Sequence, residues 1–464
     1  MSILAAVVVP HPPIILPEIG RGEEIKISAT SDAYKKISEK IVALNPDTII
    51  ITSPHSIMYA DYFHISPGKS AEGNFSKFHA PQVELKINYD TEFVKKLSDK
   101  AMNENIPAGV LGEKNSELDH GTMIPLRFLE QAGLDFEKVK FLRIGLSGLS
   151  AADHYNFGKI ISKVSDELGR KIIFVASGDL SHKLKPKGAY GFVEEGPKFD
   201  SEVMENLSSG DFLKLLTMDY NLCNRAAECG LRSFWIMAGA LDNKKISAEK
   251  LSYEGTFGVG YGIIFFDILG EDSERNFAEK LSEFKKIELE KRKNLEDDYI
   301  KLARHSLEFF VKNHKPAELP KNLPAEMISR RAGAFVSLHK DGNLRGCIGT
   351  IFPTQKNIAE EILQNAISAC SRDPRFSLVE ISELDDIIYS VDILEEPERI
   401  FSEKDLDVKK FGVIVENNGR RGLLLPDLEG IDTVEEQISI AKQKANIGVR
   451  EKVNLWRFEV IRHR

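Results

Sequence analysis

Two short apolar runs of this chain each end in Pro-His. Ala5–Val9 runs into Pro10-His11, and Thr48–Ser53 runs into Pro54-His55. Such β-branched runs read as buried parallel strands, and proline stops each one. An imidazole then stands at the carboxyl end of each of two strands, the edge where open α/β sheets bind ligands. Two imidazoles at one edge are the start of a metal site. Three further polar groups accompany them. Asp119-His120-Gly121-Thr122 precedes an apolar helix start at Met123–Leu126. Ser177-Gly178-Asp179-Leu180-Ser181-His182 follows directly on the run Lys171–Ala176. Glu228-Cys229-Gly230 lies in a helical stretch ending in Trp235–Leu241. Two imidazoles plus one carboxylate on one face, with open positions opposite, is the ligand set of non-haem Fe(II) oxygenases. A histidine of near-neutral pKa can take and return a proton, and Asp179 is spaced to orient the imidazole of His182. Cys229 is a rival donor to its neighbour Glu228, and a thiolate favours Zn(II) or Cu(I) over an oxygenase iron. His64, His79 and His154 have no motif context and read as surface residues.

The elements that must position these residues alternate. Strand candidates are Leu4–Val9, Thr48–Thr52, Lys138–Ile144, Lys171–Ala176 and Gly260–Ile268. Helix candidates are Thr30–Leu44, Thr91–Glu104, Pro125–Gln131, Ala151–Leu168 and Asp200–Ser208. Pro125 is expected in the first turn of its helix, where no backbone N–H is needed. Alternation of this kind predicts an α/β domain over residues 1–270, with a mostly parallel sheet covered by helices. Residues 271–294 are dominated by charge and read as an exposed linker running into a solvated helix. A second, α+β domain spans 295–464. Its candidates are the helix Leu302–Phe310, an extended Pro316–Pro324, strands Gly333–His339 and Leu344–Ile351 around an Asp341-Gly342 turn, and the helix Ile358–Ser371. Strands Glu383–Leu394, Gly412–Glu416 and Gly422–Leu425 follow, with an Asn418-Gly419 hairpin turn, then the helix Val434–Ala445 and the strand Trp456–Val460.

Bulk properties narrow the class. A chain of 464 residues exceeds one ordinary domain. With 42% hydrophobic and 29% charged residues it has the composition of a soluble protein. A formal net charge of −9 argues against a general nucleic-acid or anionic-membrane binder. No apolar stretch reaches the roughly 20 residues of a membrane helix. The N-terminus lacks a basic region and reads as a strand. Four cysteines are no disulfide framework, so the expected compartment is a reducing cytoplasm.

The motifs quoted above carry a family resemblance. Residues 1–270 resemble the class III extradiol dioxygenase catalytic subunit, the LigB-like superfamily. The matching features are the early strand-Pro-His, the Ser-Pro-His, the Asp-His-Gly segment with its following Pro-Leu, and Ser-Gly-Asp-Leu-Ser-His. The resemblance implies that His11, His55 and Glu228 hold Fe(II), that His182 is the catalytic acid/base, and that His120 lines the pocket. It implies an oxidoreductase that cleaves a small catechol-like aromatic substrate with O2. Phe75, Phe78 and Tyr190 are candidates to line that pocket. Relatives called Memo proteins place a cysteine near Cys229, which leaves the third ligand open.

Leu344-Arg345-Gly346-Cys347-Ile348-Gly349 is similar to the signature of the AMMECR-type domain, an α+β family. Gly333–Leu338, Asn365-Ala366, Ser371–Phe376 and Gly419–Pro426 extend the likeness over most of 295–464. Cys347 is a candidate nucleophile if Arg345, Arg372 and Arg375 lower its pKa. The alternatives are a small buried residue and arginines that bind an anion. Cys370 and Cys223 read as helix packing. Fusion of the two domain types resembles the AmmeMemoRadiSam system. That likeness implies a second function: a metal-binding component of a modification system, with a radical-SAM protein partner and no ring cleavage. A homodimer is expected for an enzyme of this kind.

Overall fold

The computed structural model describes residues 2–114, 117–340, 343–428 and 430–464. The chain forms two compact units, Met1–Phe284 and Lys285–Arg464. Their boundary falls within a helix, Phe277–Leu295.

The first unit is built on a six-stranded sheet. In chain order its strands are β1 (Ile3–Val9), β2 (Thr48–Ser53), β3 (Lys140–Gly145), β4 (Ile172–Ser177), β5 (Lys244–Glu254) and β6 (Tyr261–Glu271). The spatial order is β3-β2-β4-β1-β6-β5. The first four are parallel, and β6 and β5 close the edge as an antiparallel pair. The parallel strands are buried along nearly their whole length and mostly apolar, because both faces are covered. Ala6, Val8, Ile50, Leu142 and Phe174 join one core with the helices Ala151–Leu168 and Leu231–Ala240. Ala5, Val7, Ile49, Ile51, Ile173 and Val175 face the other core, with Ser28–Ala43 and His120–Gln131. Each such side chain contributes about 1.5–3 kcal/mol by leaving water.

The parallel strands and the helices Ser28–Ala43, Thr91–Asn103 and Ala151–Leu168 match the sequence expectations closely, the last identical in extent, whereas Glu195–Ser209 begins five residues before the expected Asp200. Three further features differ. Strand β5 and the hairpin Ser70–Phe75 with Ala80–Asn88 were not anticipated. Their charged, one-sided patterns resemble solvated segments, because each leaves one face open to water. Pro125 does not begin its helix: that helix opens at His120 and runs through the proline. His64 and His154 are fully buried, not surface residues. His64 lies in a short strand paired to Ala108–Gly109, and His154 packs edge-on against Phe63 and Trp235. Among the described residues, no helix is long and apolar enough to cross a membrane.

The second unit has two four-stranded antiparallel sheets. One orders Asn343–Gly349, Ala334–Lys340, Ile388–Leu394 and Val460–His463, covered by the helices Asp298–Asn313 and Ile358–Ser371. The other orders Glu398–Ile400, Asn454–Phe458, Gly412–Asn417 and Arg420–Leu424, with the helix Val434–Lys444 against it. Asn418 and Gly419 both have positive φ, 49° and 77°, as a tight hairpin turn requires. The expected Asp341-Gly342 turn lies outside the described residues.

Asp200, in the helix Glu195–Ser209, ties the segment after β4 to the edge strands. Its carboxylate accepts from the Ser181 N–H at 2.7 Å and from the Tyr253 hydroxyl at 2.8 Å. Burial raises its pKa to about 7, against the hydrogen bonds that favour the charged form. The unfolded carboxyl titrates near 3.8, so between those values only the folded state holds the proton. The group's stabilisation is therefore full at acid pH and declines as pH rises through about 7. We expect Asp200→Asn to flatten this fall. Urea unfolding monitored by Trp235 fluorescence, in a Trp456→Phe background, checks it at pH 5 and pH 8.

Candidate metal centre

The parallel strands end together, and the loops beyond them converge. Pro10 ends β1, and its carbonyl accepts from the Tyr34 hydroxyl. His11 follows, almost fully buried, and its backbone N–H donates to Asp179 Oδ1 at 2.8 Å. Its ring Nδ1 lies 2.9 Å from Ser177 Oγ. Its Nε2 lies 3.0 Å from Nε2 of His55, which is the exposed member of the group. His120 opens its helix beside them, its ring 4.0 Å from that of His55 and 5.5 Å from that of His11.

A second convergence brings in sulfur. Gly178 and Gly230 cross so closely that a Cβ on Gly178 would overlap the Gly230 Cα. This approach sets Cys229 against the β4 loop. Its Sγ accepts from the Asp179 N–H at 3.3 Å and lies 3.6 Å from His11 Nε2. Two donor groups result, His11 with His55 and His120, and His11 with Asp179 and Cys229, each with ligand atoms within 4.8 Å of one another.

Glu228 joins neither group. Its carboxylate accepts from the Leu231 N–H at 2.6 Å, at the start of the helix Leu231–Ala240. An acidic group is favourable there because the first helical N–H groups have no intrahelical partner. The position expected of the third ligand is thus turned to the helix, and the neighbouring Cys229 faces His11. Asp179 also departs from expectation: its carboxylate takes the His11 backbone N–H, and no hydrogen bond joins it to the His182 ring among the described residues. His182 lies beside Tyr190, ring centroids 5.1 Å apart, and Phe78 lies 5.4 Å from His120. Phe75 is buried in the core and does not line the site.

Electrostatics disfavour charge on the buried histidines of this cluster. Burial first, then the facing His55, lowers the pKa of His11 to about 3. Burial, His55 and His11 do the same to His120. Burial also lowers His182, against the raising effect of Asp179. Burial raises Asp179 to about 6. Burial, with Asp179 and Glu228, pushes the Cys229 thiol well up, so a bound cation must displace its proton. Asp119 is shifted the other way. Burial raises it, but the Ser53 hydroxyl, Arg143 and Thr122 together hold it below its usual value.

The family model for the catalytic LigB subunit of aromatic ring-opening dioxygenase matches residues 5–264. The chain belongs to that family. A second model, AMMECR1, matches residues 300–463, so this LigB-family chain carries an AMMECR1 domain. A protein of Clostridium acetobutylicum is 42% identical over 472 aligned positions that cover the whole of both chains. A protein of Thermotoga maritima is 53% identical over 36% of this chain and 98% of its own. A crystal structure of an uncharacterized protein from Pyrococcus horikoshii aligns with a TM-score of 0.33 at 30% identity, over 35% of this chain and 88% of its own.

The AMMECR1 domain shows no activated thiol at Cys347. Burial raises its pKa against the lowering effects of Ser337 and Arg375. Arg345 is paired with Glu383 at 2.9 Å and Arg375 with Asp373 at 2.7 Å. The Cys347 N–H donates to Asp373 Oδ2 and its carbonyl accepts from Arg375, so the motif braces its own strand. Cys370 is buried in its helix as expected.

Sequence reasoning treated Cys229 only as a rival ligand and did not single out Ser53 or Ser177. Ser177 lay within the quoted motif, but only the parallel pairing shows what it touches. Gly121 is held to its residue type by the site: a Cβ there would sit 2.5 Å from Ser53 Oγ and 3.3 Å from His55 Cδ2. We expect Gly121→Ala to cost about 1–3 kcal/mol of stability by overpacking and to shift the His55 imidazole resonances. NMR of 15N-histidine-labelled protein checks the second effect.

Proposed function

We propose that this LigB-family chain is a metal-dependent protein whose ion is held at His11, the donor common to both groups, with Cys229 as its thiolate ligand. The observation that carries the reading is the pairing of Cys229 Sγ, 3.6 Å from His11 Nε2, with a Glu228 carboxylate turned to a helix N-terminus. The donors fit such an ion. The His11 and His55 rings bring their Nε2 atoms within 3.0 Å, an approach suited to a shared cation. A mixed imidazole–thiolate set favours Cu(I) or Zn(II) over the two-histidine, one-carboxylate Fe(II) of ring-cleaving dioxygenases. Cu(I) would supply one-electron redox chemistry and Zn(II) Lewis acidity. This reading corresponds to a metal-binding component without extradiol ring cleavage.

The chain's own residues set what happens around that ion. Burial keeps His11 and His120 unprotonated, in the form a metal requires. His182, also held neutral, is free to accept a proton from a bound guest. Phe78 beside His120 and Tyr190 beside His182 offer flat aromatic faces to a small aromatic molecule. Asp179 fixes the His11 backbone, so the donor cluster is positioned before anything binds.

The test is metal content of the full-length chain purified without oxygen, followed by Co(II) loading. We expect near-stoichiometric copper or zinc, lost in His11→Ala and Cys229→Ser and kept in Glu228→Gln, whose amide oxygen can still accept from Leu231. Co(II) should show a sulfur-to-metal charge-transfer band that Cys229→Ser abolishes. Stoichiometric iron lost in Glu228→Gln, with O2 uptake on a catechol, would overturn the reading in favour of an extradiol dioxygenase.

A further inference from the structure

Ser177 closes β4 and is fully buried. Its oxygen lies 2.9 Å from His11 Nδ1 and 2.6 Å from the Gly121 carbonyl oxygen. A serine hydroxyl has one proton, and a carbonyl can only accept. The proton therefore goes to Gly121, and the Ser177 oxygen accepts from His11. That places the imidazole hydrogen on Nδ1 and leaves Nε2 with a bare lone pair.

The Gly121 carbonyl has a reason to take that hydroxyl. In an α-helix each carbonyl receives the N–H four residues on. For Gly121 that residue is Pro125, which has no N–H. Pro125 stands inside the helix His120–Gln131, and Gly121 is buried, so its carbonyl needs a donor from another element. The Ser177 backbone is itself held: its carbonyl accepts from the Ser233 hydroxyl at 2.8 Å, and the next N–H, of Gly178, donates to the Val9 carbonyl at 2.9 Å.

We propose that Ser177 is a positioning residue for His11, controlled from a distance by Pro125. The proline leaves the Gly121 carbonyl without its helical donor, and that carbonyl commits the Ser177 proton. The hydroxyl then holds His11 as the Nδ1–H tautomer, with Nε2 presented to His55 and Cys229. The inference rests on the reading of His11 as a metal donor. Hydrogen bonds of this kind fix the tautomer and orientation of metal-binding histidines.

The experiment uses the full-length chain with 15N-labelled histidine, first metal-free and then titrated with Zn(II). The metal-free wild type should show His11 as Nδ1–H. Ser177→Ala should populate the Nε2–H form and weaken Zn(II) binding about 10–100-fold, and Ser177→Thr should restore both. Pro125→Ala distinguishes this relay from a structural role. It gives the helix a donor for Gly121 and should raise the thermal midpoint, yet it should weaken Zn(II) binding by releasing Ser177. If Ser177→Ala fails to fold, the wild-type tautomer and Pro125→Ala decide the question. Loss of Zn(II) binding in His11→Ala, with wild-type affinity in Ser177→Ala, would overturn the relay and leave the donor reading standing. An Nε2–H His11 in the metal-free wild type would do the same. Unchanged Zn(II) binding in His11→Ala would overturn both.

Discussion

The site depends on one register. Val9 of β1 pairs with Ser177 of β4, and Thr52 of β2 pairs with Ala176, all in parallel. Parallel neighbours present their carboxyl ends at one edge, so three strands release their chains at the same level. His11 then lies two residues past one strand and Asp179 two residues past its neighbour, and the His11 N–H meets the Asp179 carboxylate. A slip of one residue would move His11 by about 3.3 Å and exchange the faces on which Val7 and Val8 pack. Those two residues belong to different cores, so both layers of helices resist the slip.

The same close packing sets the chemistry of the edge. Burial removes water from the imidazoles, and an isolated charge in such a place is costly. The cluster answers by staying neutral at His11 and His120. The charge that does persist, on Asp119, is surrounded by the Ser53 and Thr122 hydroxyls and has Arg143 at 3.7 Å. Arg143 is itself buried and donates to Ser66 Oγ and the Glu117 carbonyl. The donors beside this braced carboxylate are groups that could hold a metal ion.

The AMMECR1 domain follows a different logic. Its most recognisable segment is an edge strand whose polar groups satisfy one another. Asp373 receives the Cys347 N–H and the Arg375 side chain, and Glu383 receives Arg345 and Lys340. The fully buried Glu361 accepts from Thr350, Thr354 and Gln355. These pairings leave Arg345 and Arg375 engaged with carboxylates, and burial raises the Cys347 thiol above its usual pKa. The motif is accounted for as structural bracing of the sheet against the helix Ile358–Ser371.

Much of this was legible in the chain itself. Continuous β-branched runs ended by Pro-His determined where the parallel strands stop and that His11 and His55 stand at their ends, because both signals are local. The domain types and most helices were equally local. Pattern alone misread what depends on distant neighbours. Buried His64 and His154 look like any polar residue until the elements around them pack. Strand β5 looks like a solvated segment because half of it is one. Glu228 and Cys229 could not be told apart in sequence, since only the tertiary structure shows that Glu228 accepts from Leu231 and that Cys229 lies against His11. Likewise, Pro125 reads as a helix start, and only the approach of Ser177 to the carbonyl left without its donor shows why a proline is tolerated within the helix. The sequence by itself determined the strands, their ends and the residue types available there. The tertiary structure decided which donors face one another, because that follows from contacts between segments 50 or more residues apart.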